Sequence, residues 1–330
     1  MKKTYNVELM FLICLSLISY ICTVVFNILS AIAQKDLFLT TAGNISANYP
    51  LDATPAGWTF SIWSIIYIWN GLWIIYVVST LFRSNKRGRI YLQPAIHPPE
   101  FFALWILNNL LNIGWLFLWD RELLIYANVF LALIPITIFL MLHMSYRNCY
   151  RYADWMSQNQ PFELWCIRIL VHNGLAAYGT WTSIATLVNF GIALKHNVSH
   201  VDDPYISSVV LGLILFAISF WFLMEIFIFE KYVRYTVTIY PVTVVASVGI
   251  FLGVDETAEF SDNEMMNAVI IAVSSMACLL RFILIFSCDK LRPMISEDDK
   301  GHAKEIQVAT SPSLQNDGHA NPMVQEMEEL

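Results

Sequence analysis

Charged residues are scarce in this sequence. Asp, Glu, Lys and Arg make up 14% of its 330 residues, hydrophobic residues make up 57%, and the mean hydropathy is +0.56. A soluble domain of this size needs roughly 25% charged residues to cover its surface. The surplus apolar side chains must therefore face lipid, which excludes an ordinary water-soluble protein.

A concentrated basic surface is also missing, which argues against nucleic-acid binding. The net charge is -7, and residues 289–330 alone hold nine acidic and four basic residues. The sequence shows no nucleophile elbow, phosphate loop, metal-ligand spacing or catalytic carboxylate pair. We therefore expect no catalytic residues, no metal site and no enzymatic activity.

Cysteines are few, and none of the six falls in a loop that we predict outside the cell or in a lumen. A disulfide framework is therefore not expected. Cys149 and Cys288 lie at predicted cytosolic edges of helices. Each is either a fatty-acylation site or an unmodified small apolar side chain.

Long apolar runs are what the sequence has in abundance. A membrane-spanning helix needs roughly 20 mostly apolar residues. Eight segments meet this length, so the predicted fold class is an all-α polytopic membrane helix bundle. The predicted spans are Glu8–Ile32, Trp58–Leu81, Pro99–Trp119, Leu123–Met144, Leu164–Leu194, Ile206–Phe229, Tyr235–Val254 and Met265–Cys288.

The orientation follows from the loops that collect Lys and Arg, since basic loops stay in the cytosol. These residues concentrate before the first span and after every second span, which predicts that both termini are cytosolic. The basic clusters lie within residues 2–3, 83–89, 147–151, 231–234 and 290–292.

Two glycosylation sequons, at Asn44 and Asn197, fall in loops that the same charge rule places outside. They make both asparagines candidate glycosylation sites. They also favour the plasma membrane or an endomembrane over a mitochondrial membrane as the location.

Polar and aromatic residues recur at helical spacing in two of the spans. Because positions three and four apart share a helix face, each set forms one stripe. Facing each other, the stripes predict an aromatic cavity with a few amide groups, typical of a site for a flat apolar ligand. The alternative is structural, with Trp as an interfacial anchor and Asn bonding between helices. The stripes are Asn108, Asn112, Trp115 and Trp119, and Tyr178, Trp181, Ala185 and Asn189.

Three sequence motifs resemble those of the tryptophan-rich sensory protein family, also called the TspO/MBR, translocator-protein or peripheral benzodiazepine receptor family. Residues 178–190 (YGTWTSIATLVNF) resemble its fifth-helix signature. Residues 112–117 (NIGWLF) resemble its third-helix motif, and residues 54–67 (TPAGWTFSIWSIIY) resemble the start of its second helix. The motifs occur in the family's order within residues 8–195.

The resemblance implies a five-helix core with a pocket beneath the loop that joins the first two helices. That loop would be residues 34–57 here. The implied ligands are porphyrins (heme-like tetrapyrroles), sterols or related apolar molecules, and the implied assembly is a homodimer. The proposed ligand-binding residues are Trp58, Phe60, Trp63, Tyr67, Asn112, Trp115, Trp181 and Asn189.

The sequence departs from this pattern in two ways. Three additional predicted helices follow the core, giving the expected domains 1–195 (TspO-like core), 196–288 (added helices) and 289–330 (disordered acidic cytosolic tail). The sterol-recognition pattern of some members needs a Tyr where this chain has Phe190, before Lys195.

Charged and titratable side chains are costly inside a membrane span, and two pairs of them in the predicted spans are candidates for a role in the fold or the function. Arg168 and His172 share a face of the fifth span. They form either a proton-sensitive gate or a structural pair in which Arg snorkels and His bonds to a neighbouring helix. Glu225 and Arg281 are predicted to form an ion pair that docks the added helices.

The leading hypothesis is therefore a multi-pass membrane protein that binds or senses an apolar aromatic ligand, with no resident cofactor. Its expected partners are membrane lipid and that ligand. One alternative is a transporter of a small apolar or amphipathic solute. Another is a receptor-like or scaffold protein whose tail binds a cytosolic partner.

Overall fold

The computed structural model describes the backbone of residues 6–85, 88–198, 202–253 and 261–291. It describes the side chains of the same residues up to residue 285, except that of Val198. These residues belong to one compact unit, Met1–Leu291. The second unit, Arg292–Leu330, and with it the predicted tail, lies outside the described residues.

The regular secondary structure of the described residues is helical apart from one short antiparallel hairpin of strands β1 (Ser84–Asn85) and β2 (Gly88–Arg89). The all-α prediction is confirmed. The helices are α1 (Val7–Ala31), α2 (Ala42–Asn48), a 3-10 turn (Gly57–Ser61) leading into α3 (Ile62–Thr80), α4 (Pro99–Asp120), α5 (Leu124–Asn159), α6 (Pro161–Cys166), α7 (Asn173–Ala193), α8 (Asp203–Met224), α9 (Glu230–Val233), α10 (Ile239–Phe251) and α11 (Asp262–Leu291). Three π-helical segments, Ile167–His172, Leu194–Val198 and Glu225–Phe229, extend helices α6 to α8.

Six helical segments of the described chain are long and apolar enough to cross a membrane. They correspond to six of the eight predicted spans, and they confirm a polytopic membrane protein. The six are Val7–Ala31, Gly57–Thr80, Pro99–Asp120, Leu124–Asn159, Asp203–Val233 and Asp262–Ile285.

The fifth predicted span is the central helix of the bundle. It runs from α6 through the π segment into α7, which packs against α3, α5, α8 and α10. Of the 21 residues of α7, 15 are buried, against 5 of the 25 residues of α1. A helix surrounded by protein does not need a lipid-compatible surface, so α7 can carry Asn173, Thr182 and Asn189.

The seventh predicted span is much shorter in the structure. Helix α10 has 13 residues, so it is about 20 Å long, below the roughly 30 Å thickness of the hydrocarbon core. The predicted span Tyr235–Val254 is therefore wrong in its extent. Residues 235–238 instead lie across α7, where Asn173 donates to Tyr235 O and accepts from Val237 N, both at 2.8 Å.

The fourth predicted span, Leu123–Met144, forms the first part of a longer helix. Helix α5 continues for 15 residues beyond Met144 to Asn159 and is about 54 Å long. Its extension still buries one face at helical spacing, through Ser145, Cys149, Ala153 and Met156. That packing stabilises the helix beyond the point where its composition becomes polar.

Candidate functional site

The indole of Trp63 on α3 lies at the centre of an aromatic cluster. Its ring centroid is 5.5 Å from that of Tyr67 and 6.3 Å from that of Trp115 on α4. On α7 it meets Tyr178 at 6.0 Å and Trp181 at 6.2 Å, both edge to face. We call these five residues the Trp63 cluster. The stripes of α4 and α7 therefore converge, and the rings pack against one another around Trp63.

A hydrogen-bond network borders the Trp63 cluster on the side of α1. The fully buried amide of Asn112 accepts from Asn27 Nδ2 at 2.8 Å and donates to Tyr178 Oη at 3.2 Å and Tyr67 Oη at 3.4 Å. Tyr67 Oη in turn donates to Asn27 Oδ1 at 2.8 Å. The phenol groups of α3 and α7 are thereby fixed to α1 and α4.

Two buried donors of the cluster lack a partner. The indole N–H groups of Trp115 and Trp181 make no hydrogen bond with any described residue. Most buried polar groups are paired, so an unpaired donor calls for an explanation. A ligand with an acceptor oxygen beside these rings would satisfy them.

The loop of residues 34–57, which includes α2, is hydrogen-bonded to the C-terminal end of α4. The buried carboxylate of Asp120 accepts from Leu39 N at 2.9 Å and from Thr40 N at 3.2 Å. Trp119 Nε1 donates to Ala42 O at 3.2 Å. The aromatic stripe of α4 thus ends in contacts that order this loop.

The added helices α10 and α11 also form hydrogen bonds with the loop of residues 34–57. Ala56 N donates to Gly249 O of α10 at 2.9 Å, and a Cβ at Gly249 would collide with Thr59. Asn263 of α11 donates to Asp52 at 3.0 Å. The loop is therefore shared between the five-helix core and the added helices.

The structure brings together five of the eight predicted ligand-binding residues: Trp63, Tyr67, Asn112, Trp115 and Trp181. The other three lie apart from the cluster. Trp58 is in the 3-10 turn and 49% exposed, and Phe60 is half-buried without a ring contact to the described aromatics. Asn189 is buried two turns further along α7 and makes no side-chain hydrogen bond with a described residue.

Asn27 is the main residue of the site that is not among the residues predicted from the sequence. The sequence of α1 nevertheless carries a pattern that marks this face of the helix. Polar residues recur along α1 at spacings of three and four, and Ser16, Thr23 and Ser30 among them are buried. The stripe consists of Ser16, Ser19, Thr23, Asn27 and Ser30.

The predicted ion pair of the added helices is present. Arg281 Nε lies 2.9 Å from Glu225 Oε1, and both side chains are buried. Glu225 also accepts from Tyr240 of α10. The carboxylate thereby links α8, α10 and α11, as the predicted docking pair requires.

Arg168 and His172 both make contacts within the bundle. Arg168 lies over the ring of Tyr235, 4.1 Å from its centroid. His172 Nε2 is 2.9 Å from Ser145 Oγ on α5. This is the geometry of the structural alternative, a His bonded to a neighbouring helix.

The candidate modification sites differ in exposure. Asn44 is exposed on α2, and Asn197 is exposed in the π segment that follows α7. Cys149 is buried, which leaves it inaccessible to fatty acylation in this fold. The side chain of Cys288 lies outside the described residues.

A family model described as TSPO-like protein matches residues 13–286. The match includes the added helices as well as the five-helix core. No curated protein and no solved structure matches the chain. The motifs, the helical membrane fold and a match over most of the length agree, and the chain belongs to the TSPO-like protein family.

Proposed function

We propose that this membrane protein binds a flat, apolar ligand of tetrapyrrole-like or sterol-like shape at the Trp63 cluster. The observation that carries the proposal is the convergence of four aromatic rings from three helices on the indole of Trp63, beneath an ordered loop. Offset and edge-to-face aromatic contacts of this kind favour a planar ring system.

The unpaired indole N–H groups of Trp115 and Trp181 would orient the ligand. A carbonyl or carboxylate oxygen on the ligand would accept from one or both of them. Apolar burial at roughly 25 cal/mol per Å2 would supply most of the affinity. The amide network around Asn112 would hold the surrounding rings in place.

Ligand binding requires the Trp63 side chain to move, since its indole fills the centre of the cluster. The side chain of Trp63 is only half-buried, so one edge of the cluster lies at the surface of the bundle. A ligand from the membrane would reach the cluster at this edge.

The test is quenching of tryptophan fluorescence by protoporphyrin IX, with the purified full chain in lipid nanodiscs. We expect the double variant Trp181→Ala, Asn112→Ala to raise the apparent dissociation constant at least tenfold. Trp58→Ala removes an exposed indole outside the cluster and is the matched control. Equal dissociation constants for the double variant and the unaltered protein would place the ligand elsewhere.

A second candidate function is transport of a small apolar or amphipathic solute. It is favoured by the short helix α10 and by the π segment Glu225–Phe229 within the span Asp203–Val233, since interrupted and shortened helices are common in transporters. Flux of a fluorescent apolar amine through sealed proteoliposomes separates the two functions. Binding without flux favours the sensor.

We further propose that the protein acts as a binder rather than an enzyme. Both termini would be cytosolic, the location would be the plasma membrane or an endomembrane, and the assembly would be a homodimer. The tail, residues 289–330, would bind any cytosolic partner. A glycosidase-sensitive mobility shift that disappears in Asn44→Gln would support both the orientation and the location. Labelling of Asn44→Cys by a membrane-impermeant maleimide from the cytosolic side would contradict the orientation.

A further inference from the structure

A small cavity with both polar and apolar groups in its lining lies at the end of the bundle opposite the loop 34–57. It is formed where α1, α3, α4 and the α5–α6 junction meet the segment after the hairpin, and its volume is about 30 Å3. Its lining includes Ile13, Tyr76, His97, Phe102, Gln160 and Glu163. Tyr76 is 13 residues from Trp63, or about 20 Å along α3, so this cavity is separate from the Trp63 cluster.

Gln160 presents an unsatisfied amide to this cavity. The residue is 9% exposed, and neither its Nε2 nor its Oε1 bonds to a described residue. Leaving a buried donor and a buried acceptor unpaired is unfavourable, so the amide calls for a partner. The backbone of Gln160 is ordered by two helix-end bonds, to Met156 O at 2.7 Å and from Leu164 N at 3.1 Å, which place the residue at the cavity.

The remaining polar groups of the lining are neutral or neutralised. The Glu163 carboxylate pairs with Arg83 and accepts from Tyr76 Oη at 2.9 Å. His97 Nε2 is 3.1 Å from Ser145 Oγ, and burial lowers the pKa of His97 to about 3, so its imidazole is uncharged at neutral pH. A net-neutral lining disfavours both anions and cations.

We propose that this cavity is a binding site for a small neutral group that carries a hydrogen-bond donor and an acceptor side by side, held by the amide of Gln160. A volume of about 30 Å3 has room for roughly two water molecules. The same chemistry is offered by a pair of ordered waters or by a primary amide group. The carboxylate of Glu163 and the hydroxyl of Tyr76 lie beside it as further partners.

The test is a crystal structure of the full chain, grown from lipid at a resolution that shows ordered water. We expect a density peak within hydrogen-bond distance of both Gln160 Oε1 and Nε2, which is absent in Gln160→Leu. Gln158→Leu, on the exposed face of α5, is the matched control and should keep the peak. An empty cavity, or a Gln160 amide turned onto protein atoms, would overturn the proposal.

Soaking with acetamide distinguishes the two sources of the ligand. Replacement of the peak by the planar outline of acetamide assigns an amide-binding site, and an unchanged peak assigns a water site. Displacement by ammonium or acetate instead would overturn the neutral ligand. If Gln160→Leu fails to fold, Gln160→Glu keeps the shape and removes the donor, and it should lose the contact formed by Nε2.

Discussion

The indoles of Trp63 and Trp181 meet edge to face, with centroids 6.2 Å apart and planes at 88°. This contact joins α3 to the central helix α7. Trp63→Ala removes contacts with four rings at once, so we expect a loss of roughly 2 kcal/mol in the free energy of unfolding. Trp58→Ala, at a position that is 49% exposed, should cost less than about 1 kcal/mol. Equal losses in detergent-induced unfolding would contradict the central position of Trp63.

The amides of Asn27 and Asn112 should be energetically coupled. Asn112→Ala leaves the partners of a fully buried side chain unpaired, so we expect a loss of about 2–3 kcal/mol. Because Asn27 bonds to Asn112 at 2.8 Å, the double variant Asn27→Ala, Asn112→Ala should lose about 1 kcal/mol less than the sum of the single losses. Asn48→Ala, at an exposed position of α2, is the control. Strict additivity in unfolding experiments would show that the network is not cooperative.

Asp120 should control the order of the loop 34–57. Its carboxylate accepts from the backbone N–H groups of Leu39 and Thr40, and Asp120→Ala removes both acceptors. We expect at least tenfold faster amide hydrogen exchange across residues 37–48 and little change elsewhere. Asp36→Ala, at an exposed position of the same loop, is the control. Unchanged exchange in Asp120→Ala would mean that the contacts with α10 and α11 suffice.

The buried pair of Glu225 and Arg281 should be intolerant of single changes. Neutralising one partner leaves the other charge buried and uncompensated, which costs about 3–5 kcal/mol. We therefore expect Glu225→Gln and Arg281→Gln to lower the yield of monodisperse protein in size-exclusion chromatography. The double variant Glu225→Arg, Arg281→Glu, which exchanges the two charges, should recover part of the lost yield. The recovery is partial because the exchange also removes the bond of Glu225 with Tyr240 and that of Arg281 with Val233. No recovery in the exchanged variant would remove the docking role.

His97 should contribute to a loss of stability in acid. Burial lowers its pKa to about 3, below the usual value of 6.5 in an unfolded chain. Between pH 6.5 and 3 the unfolded state therefore binds the proton and the folded state does not. The contribution of His97 to the free energy of unfolding is complete above pH 6.5 and decreases progressively below it. At pH 5 about 2 kcal/mol of this contribution is lost. His97→Gln should make the midpoint of unfolding less dependent on pH between pH 7 and 5. His143→Gln, at an exposed position, is the control and should not have this effect.

The length of the apolar runs was sufficient to predict most of the membrane fold. These runs located six of the spans because a lipid-facing helix must be apolar over its whole length. They also located the fifth span, Leu164–Leu194, which the structure forms as a continuous helix over residues 161–193. They overestimated the seventh span, because α10 has only 13 residues.

The sequence by itself determined that aromatic and amide side chains of α4 and of α7 lie on one face of each helix, since spacing along a helix fixes the face. It could not determine which of those side chains meet. Trp63, Asn112 and Trp181 come together because α4 packs between α1 and α5 while α7 packs on α3 and α5, so that their side chains meet inside the bundle. Asn189, on the same stripe as Trp181, lies two turns away. Asn27 belongs to a polar stripe that the sequence of α1 shows, but its pairing with Asn112 depends on long-range packing. The position of the Gln160 amide depends on long-range packing as well.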